Sequence, residues 1–198
     1  QARQPRPPAL RRATITPLMA MLALTASGAA FAQANPYYIG ATLGYAHDSN
    51  VYRTTLDPKS DSYTSIGLVA GLDQPIGRQR VYANGNVRNN RYSKIDNDNV
   101  SYGLNAGLDW STIERLSGSV NLSLNQSLAT YGVGIPGNQQ ITLKNLERNR
   151  LLSARAQWGL VSLLTLEGTV THRETSYSAD ASKPNDLDQD SVSVGLKY

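Results

Sequence analysis

The sequence predicts an all-β protein: an antiparallel, up-and-down transmembrane β-barrel with about eight strands present, either a closed small barrel or the first half of a larger one. Three observations carry this. Apolar and polar residues alternate with period two almost throughout the region after Gln33. The alternating segments have a uniform length of about ten to thirteen residues, where strands of soluble proteins run about five or six. Their connections alternate between long and short, the pattern of a barrel with loops on one side of a membrane and turns on the other.

Residues 1–32 stand apart. Arg3, Arg6, Arg11 and Arg12 precede an apolar run from Leu18 to Ala26, and the small-x-small triplet Ala30, Phe31, Ala32 closes it. That order is the one a secretory signal needs, and the run is too short to span a bilayer as a helix. Cleavage after Ala32 leaves a barrel domain of residues 33–198. Removing those four arginines leaves fifteen basic and fifteen acidic residues, a neutral body. Nucleic acid is therefore excluded as a partner, since phosphate binding is driven by surplus positive charge. The chain has no cysteine, which rules out a disulfide frame or a thiolate metal site.

The eight segments lie near residues 37–47, 62–73, 79–92, 99–110, 116–128, 147–159, 163–175 and 189–198. The fourth is the clearest: Val100, Tyr102, Leu104, Ala106, Leu108 and Trp110 alternate with Ser101, Gly103, Asn105, Gly107 and Asp109. The fifth repeats it, with Leu116, Val120, Leu122, Leu124 and Leu128 set against serines and asparagines. Connections after the first, third, fifth and seventh segments are long and polar. Those after the second, fourth and sixth (QPIGR, STIER, GLVS) are short. Pro36, Pro58, Pro75, Pro136 and Pro184 fall at a strand start or in connections, as a residue without an N–H should. On the apolar face, Tyr37, Trp110, Trp158 and Tyr198 mark one edge and Tyr45 and Tyr102 the other, the two aromatic girdles of a barrel.

The opposite face is polar. Its candidate lumen-lining and sugar-contacting residues are Tyr82, Asn84, Asn86, Arg88, Asn105, Asn121, Asn125, Arg155 and Gln157, because amides, Arg and Tyr bond hydroxyls without a fixed charge requirement. Asn90, Glu167, Thr169 and Arg173 share that face, with Asp73, Asp109 and Lys197 nearer the short-turn end. Two roles are open for this set: an internal hydrogen-bond and ion-pair network that holds the barrel, or a polar conduit that tunes a passing solute. Barrel size separates them, since eight strands leave an interior just filled by side chains.

Catalytic chemistry finds little support. His47 and His172, with Asp48, Ser49 and Glu174, make a conceivable hydrolase set, but no nucleophile motif accompanies them and they read as rim histidines. Gly132, Gly134 and Gly137 match G-x-G-x-x-G, yet Pro136 interrupts the motif and no helical pattern follows. The pair Asp96 and Asp98 and the run Asp186, Asp188 and Asp190 lack the glycine and terminal Glu of a helical calcium loop and read as solvated loop acids. No enzyme activity, cofactor or metal is expected.

Four stretches resemble a known family: YAHDSNVYR (Tyr45 to Arg53), GRQRVYANGNVRNNRY (Gly77 to Tyr92), GLDWSTIERLSGS (Gly107 to Ser119) and the closing SVSVGLKY (Ser191 to Tyr198). They are similar to the outer-membrane barrels encoded in exopolysaccharide operons of Gram-negative bacteria, the EpsL-like family and related β-barrel porins. That resemblance implies a place in the outer membrane and a role as accessory or conduit in exopolysaccharide biosynthesis or export. It implies membrane lipid, polysaccharide and other export components as partners. Two alternatives use the same alternation: a closed eight-stranded structural or adhesion barrel acting through its loops, and a soluble periplasmic sugar-binding β-sandwich with the apolar face as core. On the conduit reading, replacing Arg88 and Arg155 by Ala changes solute passage more than folding; solute flux and unfolding measured on the same variants check this.

Overall fold

The computed structural model describes residues 35–54, 57–129, 143–159 and 164–198, all within the unit Asn35–Tyr198. The expected signal segment and the glycines Gly132, Gly134 and Gly137 lie outside the described residues. Eight strands form one antiparallel sheet in sequence order: β1 (Tyr37–Asp48), β2 (Asp61–Ile76), β3 (Gln79–Tyr92), β4 (Asn99–Ser111), β5 (Leu116–Leu128), β6 (Leu146–Gly159), β7 (Thr165–Tyr177) and β8 (Leu187–Lys197). A short 3-10 helix, Asp180–Asn185, sits in the β7–β8 connection. Since all eight strands belong to one sheet, the two packed sheets of a β-sandwich are not formed.

Period-two alternation becomes two faces, and their exposure is the reverse of a soluble sheet. Leu43 is 79%, Ile66 64% and Val194 75% exposed, while Asp61 and Asn99 on the polar face are 2% and 7% exposed. On β6 alternate positions from Glu147 to Gln157, polar except for Leu151, are half-buried and the intervening ones, from Arg148 to Trp158, are exposed. The only buried apolar residues among those described are Val51 and Ala129. In water each uncovered Leu or Ile would forgo about 1.5–3 kcal/mol of burial.

Strand stagger is that of a tilted sheet. Following direct partners from Tyr38, at the foot of β1, leads through Gly71, Asn84, Asn105, Ser123, Leu151 and Arg173 to Gln189, near the start of β8 at the opposite end. Barrels are built on such a stagger. The sheet does not close, however: β1 and β8 make no contact and each has a single hydrogen-bonded neighbour. The closed small barrel is therefore not what these eight strands form.

Two further expectations need correction. Pro75 lies inside β2, opposite Arg80, rather than in a connection. Asp73, two residues earlier, donates its N–H to the Pro36 carbonyl on the β1 side, so the N–H that Pro75 lacks would point the same way, beyond the last β1–β2 pair, Tyr37 with Leu72. The proline costs no ladder bond. Asp188 and Asp190 are strand residues of β8, opposite Glu174 and His172, and only Asp186 remains a loop acid, accepting the Tyr177 N–H at 2.8 Å. The β2–β3 turn is just Gly77 and Arg78, with Gly77 at φ 63°, as a two-residue hairpin with glycine first requires.

Gly107 is fixed by close approach. The Tyr82 ring reaches from β3 across β4, over Gly107, and its hydroxyl hydrogen-bonds Asn121 Oδ1 on β5. A Cβ on Gly107 would meet the Tyr82 ring and lie 2.8 Å from Asn121 Oδ1. Gly107→Val is expected to destabilise the sheet by about 1–3 kcal/mol, with Tyr82→Ala in the same chain recovering part of the loss, as read by urea unfolding in detergent.

Candidate functional site

The polar face sorts its charged groups by height. Toward the short-turn end Arg80 on β3 grips Asp73 of β2 through two hydrogen bonds (2.8 and 2.6 Å) and lies 3.7 Å from Asp109 of β4. Arg155 on β6 bonds Glu167 of β7 at 2.6 Å, and Lys197 of β8 reaches the same carboxylate at 2.8 Å. Gln157 extends this second cluster, donating to Ser117 Oγ on β5 and accepting from Arg155. Each cluster ties at least three strands together. Arg155 thus forms part of an ion-pair network through its Nη2, which bonds both Glu167 and Gln157.

At the long-loop end the face opens into a cavity of about 650 Å³ whose walls come from β1 through the end of β5. Five consecutive strands thus curve around it. Arg88 is on its wall, exposed, with no hydrogen bond or ion pair among the described residues. Its aliphatic stem packs over Gly67 of β2, where a Cβ would lie 2.7 Å from Arg88 Cγ and 3.0 Å from Thr42 Oγ1. Asn90, beside it, donates to Asn99 Oδ1 (3.0 Å) and Ser101 Oγ (3.1 Å) across the β3–β4 pair. Tyr63 and Tyr92 face each other as a stacked pair, ring centroids 4.9 Å apart, on the same wall. The acid of the cavity, Asp48, is held by Arg53 at 2.7 Å. The Asp48 hydrogen bond, and then its charge, raise the Arg53 guanidinium above its ordinary range, so this loop cation stays with its acid.

The other expected residues are distributed along the face. Asn84 and Asn105 are direct partners, both exposed. Asn86 and Asn125 flank Gly103. Tyr82 and Asn121 are joined to each other. The set therefore divides into a bonded group (Tyr82, Asn121, Arg155, Gln157) and an open group (Asn84, Asn86, Arg88, Asn105, Asn125). Tyr63 and Tyr92 escaped the sequence reading because both sit at strand ends. Counting thirteen residues from Ile76 and Gln79, on either side of the Gly77–Arg78 turn, would have brought them opposite one another.

The histidines are not brought together. His47 is on the apolar face of β1, bonded to Ser62 Oγ at 2.9 Å, while Asp48 points to the polar face and bonds Arg53. His172 on β7 bonds Asp190 at 2.8 Å and lies 3.6 Å from Asp188. With β1 and β8 out of contact, the hydrolase set is not assembled. His172, Asp188 and Asp190 do bring three ligand atoms within 4.8 Å of one another, all on exposed side chains.

No protein family, curated protein or solved structure matches this chain. The arginines give the direct test of the division above. Arg155→Gln is expected to move the urea unfolding midpoint down, because Glu167 keeps only Lys197, whereas Arg88→Gln leaves the midpoint unmoved; equal shifts would mean that both are structural.

Proposed function

We propose that the chain is a non-enzymatic outer-membrane β-barrel protein, a conduit or accessory in exopolysaccharide biosynthesis or export. One observation carries the membrane part: the whole apolar face of an eight-stranded sheet is uncovered, while its polar face is the one that curves around a cavity. Hydrocarbon is the solvent in which that arrangement costs nothing. Strand length agrees, since β1 to β8 run from 11 to 16 residues and a tilted strand needs about 9–11 to cross the hydrocarbon. Tyr37 with Tyr45, and Tyr102 with Trp110, are each eight positions apart on the apolar face, about 27 Å along a strand. That spacing suits side chains at the two membrane–water boundaries.

The exopolysaccharide part rests on the resemblance of the four stretches named above and on the chemistry of the open group. Asparagines and an unengaged arginine form neutral and charge-assisted hydrogen bonds with sugar hydroxyls and carboxylates. Outer-membrane lipid is the first partner of such a protein, with polysaccharide and other export components beyond it. The cleaved product is expected to begin at Gln33 and reside in the outer membrane. Two open edges favour an arc of a wider barrel over a filled eight-stranded one.

The full chain, refolded with lipid vesicles, is expected to float with them on a density gradient. Its mobility on a denaturing gel should change on boiling only when the edges are paired. Recovery in the aqueous fraction without detergent would overturn the membrane reading.

A further inference from the structure

The geometry points to the cavity at the long-loop end as a binding site for an acidic saccharide, with Arg88 as the group that selects a carboxylate-bearing sugar over a neutral one. This deepens the conduit reading and rests on it for the setting, while the site itself is argued from the residues that line it.

Three features converge there. The first is charge. Arg80, Arg155 and Lys197 on the same face each have a carboxylate within 2.8 Å, whereas Arg88 has none among the described residues, and the cavity's own acid, Asp48, is occupied by Arg53. A carboxylate arriving in the cavity therefore meets a guanidinium whose fork is free for two parallel hydrogen bonds. The second is position. Gly67 lets the Arg88 stem lie flat across β2 toward Thr42, so the guanidinium is carried along the cavity wall instead of standing away from it. The third is the rest of the lining. Tyr63 and Tyr92 supply aromatic surface for the C–H faces of a sugar ring. Ser65 and Ser101 supply hydroxyls for its oxygens. A volume of about 650 Å³ is in the range of sites that enclose small ligands, roughly 300–1,000 Å³.

Arg173 provides the internal contrast. It is the other arginine of the polar face with no ion pair among the described residues, on β7, outside the cavity. Unpaired charge alone would make the two equivalent; the lining makes them different.

The test uses the full chain folded in detergent and two probes, a tetramer of galacturonic acid and a neutral tetramer of glucose, with dissociation constants from calorimetry. The acidic tetramer is expected to bind at least about tenfold more tightly, and added salt should erode that preference while leaving the neutral tetramer unchanged. Arg88→Gln should bring the acidic probe to the neutral level. Arg88→Lys, which keeps the charge and loses the fork, should hold part of the preference, and Arg173→Gln should keep all of it. Equal binding of both tetramers, or a preference that survives in Arg88→Gln, overturns the proposal. Vesicle flotation of the same preparation separates this from the setting. Flotation without discrimination overturns the acidic site and leaves the membrane reading standing; discrimination without flotation does the reverse.

Discussion

Which side of the sheet faces the inside of its curve decides nearly everything else about this molecule. A sheet that packs a second layer uses its apolar side chains as the adhesive. Here those side chains point outward from all eight strands, and what meets on the inner side is Asn, Ser, Thr, Tyr and charged residues. Cohesion must then come from the backbone ladders and from polar side chains that bridge strands. Such bridges join Tyr82 to Asn121 across β4, Gln157 to Ser117, and Thr175 to Asn149 at 2.7 Å. A buried polar group without a partner costs about 1–3 kcal/mol, so these bonds are a condition of having the polar side inward.

The same constraint explains why charge is sorted along the strands. Near the short turns, Arg80 sits between two carboxylates and Glu167 between two cations. Each cluster staples strands whose ends would otherwise fray. Near the long loops stapling is done by the loops themselves. Asp61, 2% exposed, accepts backbone N–H groups from Ser62, Lys94 and Ile95, tying the β3–β4 connection to the head of β2. Asn145 likewise bonds Ser182 and the Ala179 N–H, joining the start of β6 to the β7–β8 connection. That end is held by loop contacts, and Arg88, on the cavity wall there, makes no ion pair among the described residues.

Most of the strand map was legible in the sequence because a two-faced strand writes its period directly into the chain, and because a two-residue turn such as Gly77–Arg78 leaves no freedom in register. β3 and β5 came out with the expected bounds. The missing N–H of proline places Pro75 in a connection when only the sequence is considered, whereas its effect depends on which side of the strand still has a neighbour. The site was less legible. Arg88 and Arg155 are the same residue type on the same face, and sequence treats them alike. They part because Glu167 is opposite Gln157 on the neighbouring strand, one step from Arg155, while the partners of Arg88 are Gly67 and Ser101. Engagement of a charge is a property of three strands at once, and no one-dimensional pattern contains it. Closure was illegible for a related reason: period two fixes the faces but carries no information about how sharply the sheet curves.

The edges carry the argument one step further. β1 turns Ile39, Ala41 and Leu43 outward, and β8 turns Leu196, Val194 and Val192 outward, while Gly40, Thr42 and Gly44 on one and Gly195, Ser193 and Ser191 on the other share the polar side. Both edges therefore present the same two-faced strip as the interior strands, together with a row of unpaired N–H and C=O groups. In hydrocarbon each such group costs several kcal/mol, and charge or proline that would blunt an edge in water is absent from the apolar stretches Ile39–Leu43 and Val192–Leu196. An edge built that way is suited to pairing and unsuited to solvent. Any strand that paired with it would have to continue the same alternation at the same stagger.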